Sequence, residues 1–99
     1  MIDLRDKDRQ AIEQLARKFL VKGTELKAYG SRVKGSSQPA SDLDLMMFTP
    51  EGEMNNLIDF QQALKESNIP IFVQVFDWNV MPENFKQNFL KRNESLLVV

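Results

Sequence analysis

The segment Asp42-Leu43-Asp44-Leu45-Met46-Met47-Phe48 constrains the fold of this chain more than any other. Charged and apolar side chains alternate at its start, the period of a β-strand with one face on a core. In that register Asp42 and Asp44 share one face, and Leu43 and Leu45 share the other. The chain must therefore bury one side of a sheet and hold two carboxylates together on the opposite side. Such a pair repels itself unless a cation lies between the two charges.

The remaining elements are read around that strand. Ile12, Leu15, Ala16, Phe19 and Leu20 recur at helical spacing and predict a helix from about Asp6 to Lys22, with Gly23 as its stop. A strand is expected over Glu25–Tyr29, followed by a loop of small residues from Gly30 to Ser37. After the Asp42–Phe48 strand, Thr49-Pro50 reads as a helix start. That helix is expected to reach about Ser67 and to bury Met54, Leu57, Ile58 and Leu64. Ile71–Phe76, rich in β-branched and aromatic residues, predicts a third strand. A last helix from about Pro82 to Arg92 presents Phe85 and Phe89, and Leu96–Val99 reads as an apolar tail or edge strand. Phe72, Phe76, Trp78, Phe85 and Phe89 fall at strand or helix spacing and read as core. No repeat or long linker interrupts the 99 residues, so we read a single α/β domain over residues 1–99.

Composition narrows the chemistry. The chain has no cysteine and no histidine, which excludes disulfide scaffolds, zinc sites built on those residues, thiol nucleophiles and every triad with an imidazole base. Carboxylates, hydroxyls, basic side chains, backbone amides and hard metal ions are left. A formal net charge of −1 lacks the basic signature of a nucleic-acid binder. Apolar runs such as Leu45–Phe48 are far too short to span a bilayer, so no membrane partner is expected. Asp3, Arg5, Asp6, Lys7 and Asp8 break up any signal-peptide core, and the expected location is cytoplasmic.

The residues left to do chemistry cluster between Gly30 and Asp44. Gly30 and Gly35 let the backbone approach a ligand closely, while nearby amides, the Ser31 hydroxyl, Arg32 and Lys34 suit phosphate charge. Asp42 and Asp44 suit a hard ion such as Mg2+, which keeps positions open for water and substrate phosphates. A phosphate cradle beside a carboxylate pair implies nucleotide phosphoryl chemistry. Gly30 and Gly35 also have the glycine spacing of a Walker A loop. Ser36-Ser37 follow where that loop needs Lys and then Ser or Thr, so we reject it.

Gly30-Ser31-Arg32-x-x-Gly35 followed by Ser41-Asp42-Leu43-Asp44-Leu45 resembles the polymerase-β-like nucleotidyltransferase superfamily. Within it, the chain looks most like the minimal nucleotidyltransferases (MNT proteins). Phe76-Asp77-Trp78 and Glu83-x-Phe85 look like that group's third strand and final helix, so the resemblance covers nearly the whole chain. It implies a polymerase-β palm-like fold of the α/β (α+β) class, a small mixed sheet flanked by helices. It also implies transfer of a nucleoside monophosphate, AMP from ATP, to a hydroxyl with two Mg2+ ions. Asp42 and Asp44 would be catalytic and hold metal; Gly30, Ser31, Arg32, Lys34, Gly35 and Ser41 would hold the nucleotide. Such proteins are commonly paired with a HEPN-domain toxin and act as its antitoxin, in some cases by AMPylating a tyrosine of the toxin. A hetero-oligomer or a homodimer fits that role.

One position departs from the pattern. The group's third carboxylate lies on the third strand, where this chain has Gln74. An amide is neither a general base nor a charged metal ligand. Asp77 is the alternative carboxylate, but three residues from Gln74 it has the opposite strand parity. Unless a bulge re-aims it, Asp77 is expected to organise the turn into the last helix. Two functions follow: an active Mg2+-dependent transferase, or an antitoxin that neutralises its partner by binding alone. A nucleic-acid adaptor is a third reading, opposed by the near-neutral charge.

Overall fold

In the computed structural model, which describes residues 1–99, the alternating segment forms one of the two inner strands of the sheet. The elements run α1 (Asp6–Phe19), β1 (Glu25–Tyr29), α2 (Ser31–Lys34), β2 (Leu43–Phe48), α3 (Leu57–Glu66), β3 (Val73–Asp77), α4 (Glu83–Lys91) and β4 (Glu94–Val98). A 3-10 turn over Trp78–Val80 links β3 to α4. The four strands lie in the order β3-β2-β1-β4, with β2 parallel to β3 and β1 antiparallel to both β2 and β4. The expected small mixed sheet flanked by helices is what forms.

Strand alternation divides the side chains between two layers. Leu26, Ala28, Leu43, Leu45, Met47, Val73 and Val75 join one buried cluster with Ile12 and Ala16 of α1 and Phe60 and Leu64 of α3. The opposite face carries Tyr29, Phe48 and Phe76, covered by Trp78 and by Phe85 and Phe89 of α4. Their ring centroids lie 4.9–6.4 Å apart in tilted and edge-on pairs, the geometry aromatic side chains favour. Phe72 is the exception to the expected aromatic core: it sits at the sheet margin, 40% exposed, with Lys65 over its ring. No helix is long and apolar enough to cross a membrane.

Several boundaries differ from the sequence expectation, each for a local reason. Helix α1 stops at Phe19 rather than Lys22, because the Val21 N–H donates to Asn55 Oδ1 at 2.7 Å instead of extending the helix. Helix α3 starts at Leu57, not at Thr49-Pro50. Gly52 has φ +81°, a left-handed conformation that breaks a helix, and the Asn56 side chain caps the later start by accepting the Asp59 N–H at 3.0 Å. Met54 and Ile58, expected in the core, are consequently 87% and 80% exposed, and Phe60 supplies the buried ring of α3. The loop after β1 contains a helical turn, Ser31–Lys34, and Leu96–Val98 belong to an edge strand that begins at Glu94 and ends one residue before Val99.

The outer edge of β3 is closed by one side chain. Gln61 on α3 donates from Nε2 to the Val73 carbonyl at 2.7 Å and accepts the Val75 N–H on Oε1 at 2.8 Å, as a neighbouring strand would. Unpaired strand edges invite pairing with other chains. Gln61→Ala leaves both backbone groups without partners and is expected to lower stability by about 1–3 kcal/mol in urea titration. Concentration-dependent association in size-exclusion chromatography should accompany the loss; a variant as stable and monomeric as the parent would show that the edge needs no such closure.

Candidate functional site

The site lies where the end of β1 meets the start of β2. Across the sheet, Tyr29 is the register partner of Asp44, and Asp44 is the register partner of Gln74, so the three form one row on the α4 side. Asp42 stands two residues before Asp44, exposed at the mouth of the strand. Both carboxylates thus share a face, as their spacing requires.

Asp44 is half-buried, and its carboxyl is raised above the ordinary range, first by burial and then by the charge of Asp42. No basic side chain pairs with either carboxylate, and no hydrogen bond holds the Asp44 carboxylate. Gly30 presses against it. A Cβ at Gly30 would lie 2.9 Å from Asp44 Oδ2, and the Gly30 backbone, at φ +82° and ψ −157°, is in a region open essentially to glycine alone. The glycine of the Gly-Ser pair is therefore fixed by the carboxylate that follows it fourteen positions later.

Helix α2 carries the remaining residues expected to hold phosphate. The Val33 and Lys34 amides both donate to the Gly30 carbonyl at 3.0 Å, and Gly35 ends the turn at φ +81°. Lys34 is exposed and without an acidic partner, and Ser31 opens the turn beside Asp44's neighbour Gly30. Arg32 has a different task from the one expected. It is 7% exposed, and its guanidinium donates to the carbonyls of Ser41 at 2.9 Å, Asp3 at 2.8 Å and Pro39 at 3.1 Å. Its donors hold the loop between α2 and β2 rather than facing a ligand. Ser41 belongs to the same loop, its hydroxyl accepting the Gln38 N–H at 2.8 Å.

The two other polar residues of the third strand are also accounted for. Gln74 leans to the sheet edge, where its Nε2 lies 3.5 Å from Gln61 Oε1. Asp77 pairs in register with Met47 and accepts the Asn79 N–H on Oδ1 at 3.0 Å, capping the 3-10 turn. No third Asp or Glu joins Asp42 and Asp44. Tyr29 was not expected from the sequence to belong to the site. Its position, immediately before Gly30 on the strand opposite Asp44, is the signal that could have found it.

Residues 9–98 match the family described as Polymerase beta, Nucleotidyltransferase. The chain belongs to this family. It is 36% identical over 66 residues to a protein named probable protein adenylyltransferase MntA from Haemophilus influenzae (strain ATCC 51907 / DSM 11121 / KW20 / Rd). That match takes in 61% of this chain and 54% of the relative, so the chain spans about half the length of the curated relative it matches. In fold, it is similar to a solved structure described as the crystal structure of a toxin-antitoxin with AMP-PNP. The TM-score is 0.73 at 19% identity, covering 93% of this chain and 74% of the other.

The two carboxylates of this family member fit a hard divalent cation. They supply charged oxygen donors, one of them uncompensated and half-buried, and a cation between them would remove the repulsion that raises Asp44. The folded Asp44 carboxyl keeps its proton to higher pH than the unfolded one. Its ionisation therefore opposes folding, and stability falls as pH rises from the ordinary Asp range through the raised one. Asp44→Asn removes that charge at constant shape. In scanning calorimetry without metal, the variant is expected to melt above the parent at neutral pH, and the difference should vanish below about pH 4, near the unperturbed Asp value. An equal or lower melting temperature at neutral pH would contradict this account. Gly30→Ala is expected to cost about 1–3 kcal/mol from its backbone conformation alone, read by urea titration, and to displace Asp44 as well.

Proposed function

We propose that this chain is a Mg2+-dependent nucleotidyltransferase that moves AMP from ATP to a hydroxyl of a HEPN-domain toxin and acts as that toxin's antitoxin. One observation carries the reading: an uncompensated, half-buried carboxylate, Asp44, beside a second carboxylate and pressed against the backbone of a Gly-Ser turn. Likeness to a probable protein adenylyltransferase and to a toxin-antitoxin structure with AMP-PNP supports the transfer and the partner class.

Asp42 and Asp44 would hold Mg2+, which when bound neutralises phosphate charge and aligns the α-phosphate. Gly30, lacking a side chain, lets the triphosphate approach the start of α2, and exposed Lys34 adds a positive charge within the same turn. The acceptor hydroxyl oxygen attacks the α-phosphorus, the bond to the β-phosphate oxygen breaks, and pyrophosphate leaves. The hydroxyl proton passes to solvent, because Gln74 is no base. Arg32 contributes by holding the loop that carries Ser41 into Asp42.

A second reading is favoured by Gln74, whose amide leans to the sheet edge near Gln61 where the resemblance implies a carboxylate. On that reading the chain covers its toxin without chemistry. Incubation of the chain and its partner with Mg2+ and labelled ATP separates the two. Label on the partner, abolished by Asp42→Asn or Asp44→Asn, is the expected result. Gln74→Asp is expected to raise the rate by about 10²–10⁴-fold, the usual contribution of a general base. No label under any nucleotide or metal condition, with toxin still neutralised in cells by the Asp42→Asn and Asp44→Asn chains, would leave binding alone.

A further inference from the structure

The Tyr29 phenol oxygen is the one buried side-chain polar atom in the chain without a hydrogen-bond partner. The ring is fixed on three sides, with centroids 6.4 Å from Phe76, 5.9 Å from Phe85 and 5.3 Å from Phe89. A hydroxyl buried among rings without a partner opposes folding, and a phenylalanine would fill the same space without that penalty.

The neighbouring strand carries the complementary deficit. Asp44, the cross-strand partner of Tyr29, carries a half-buried carboxylate that no protein group donates to. An orphan donor and an orphan acceptor thus occupy the same face of adjacent strands. A tyrosine hydroxyl ordinarily ionises only at about pH 10, so it carries its proton and can donate at physiological pH. Tyr29 and Gly30 are consecutive, so the end of β1 supplies both the space Asp44 occupies and an unpartnered donor on the strand beside it.

We propose that Tyr29 is a positioning residue for Asp44: in the loaded site its hydroxyl donates to the carboxylate, directly or through one water, and fixes its aim at the cation. This rests on the reading of Asp42 and Asp44 as cation ligands. Carboxylates that bind metals are generally held from behind by a donor, and loss of such a partner typically weakens metal affinity about 10–100-fold.

The test is a Mn2+ titration of the full chain followed by electron paramagnetic resonance, with and without ATP, beside thermal melting of the metal-free protein. Tyr29→Phe is expected to melt at or above the parent, since it sheds an unpartnered hydroxyl, yet to bind Mn2+ about tenfold more weakly. Incorporation of p-aminophenylalanine in place of Tyr29 keeps a donor and is expected to restore affinity. An unchanged Mn2+ titration for Tyr29→Phe, whatever its melting temperature, assigns the hydroxyl to packing and overturns the proposal while Asp42 and Asp44 stand as ligands. If the parent chain binds no Mn2+ with or without ATP, the reading of the two carboxylates falls, and this proposal falls with it.

Discussion

The close approach of Gly30 to Asp44 is the constraint from which the rest of the site follows. A carboxylate half-buried on an inner strand needs room, and the room comes from a backbone with no Cβ in a conformation that other residues avoid. That conformation turns the chain sharply out of β1 and directly into α2, whose amides fold back on the Gly30 carbonyl. The turn, the helix start and the position of the carboxylate are therefore one structural unit. A Gly-Ser pair and an Asp-x-Asp strand segment occur together because the first makes space for the second.

Around this unit the fold assigns opposite tasks to the two faces of the sheet. The face toward α1 and α3 is aliphatic and closed, and it fixes β2 between β1 and β3. The face toward α4 is aromatic at one end and polar at the other, with Tyr29 at the boundary between the two. The buried Arg32 does for the loop what the core does for the sheet. Carbonyls of Gln38, Pro39 and Ser41 in the loop and of Asp3 in the N-terminal segment receive its donors, and the loop delivers Ser41 and Asp42 to the start of β2. A guanidinium so engaged is worth more to the site as scaffold than as a phosphate ligand.

What could be read from the sequence was governed by period. The alternation of Asp42, Leu43, Asp44 and Leu45 gave the strand and the shared face of the carboxylates, and the helical recurrence of Ile12, Ala16 and Phe19 gave α1. Strand parity alone separated Gln74 from Asp77, and Asp77 does cap the turn that follows β3. Features set by tertiary partners were not legible. The end of α1 depends on Asn55, thirty-four positions away, and the late start of α3 depends on Gly52 and the Asn56 cap overriding the helix signal of Pro50. Arg32 reads as a phosphate-binding cation until its carbonyl partners are known, and nothing in the sequence marks the Tyr29 hydroxyl as buried without a partner.

Gln74 belongs to the same balance of charge and closure. Its register partner is Asp44, already raised by burial and by Asp42, so a carboxylate at position 74 would add a third negative charge to a row with no cation of its own. The amide avoids that repulsion, and its Nε2 lies near the same Gln61 oxygen that closes the edge of β3. Neutral glutamine therefore lets the metal-free protein keep its sheet edge and its carboxylate pair at once. The consequence is chemical: the fewer charges the empty site must tolerate, the fewer it has to hold a cation and accept a proton. Stability of the empty chain and readiness for transfer are set against each other at one strand position, beside the carboxylate that any transfer would use.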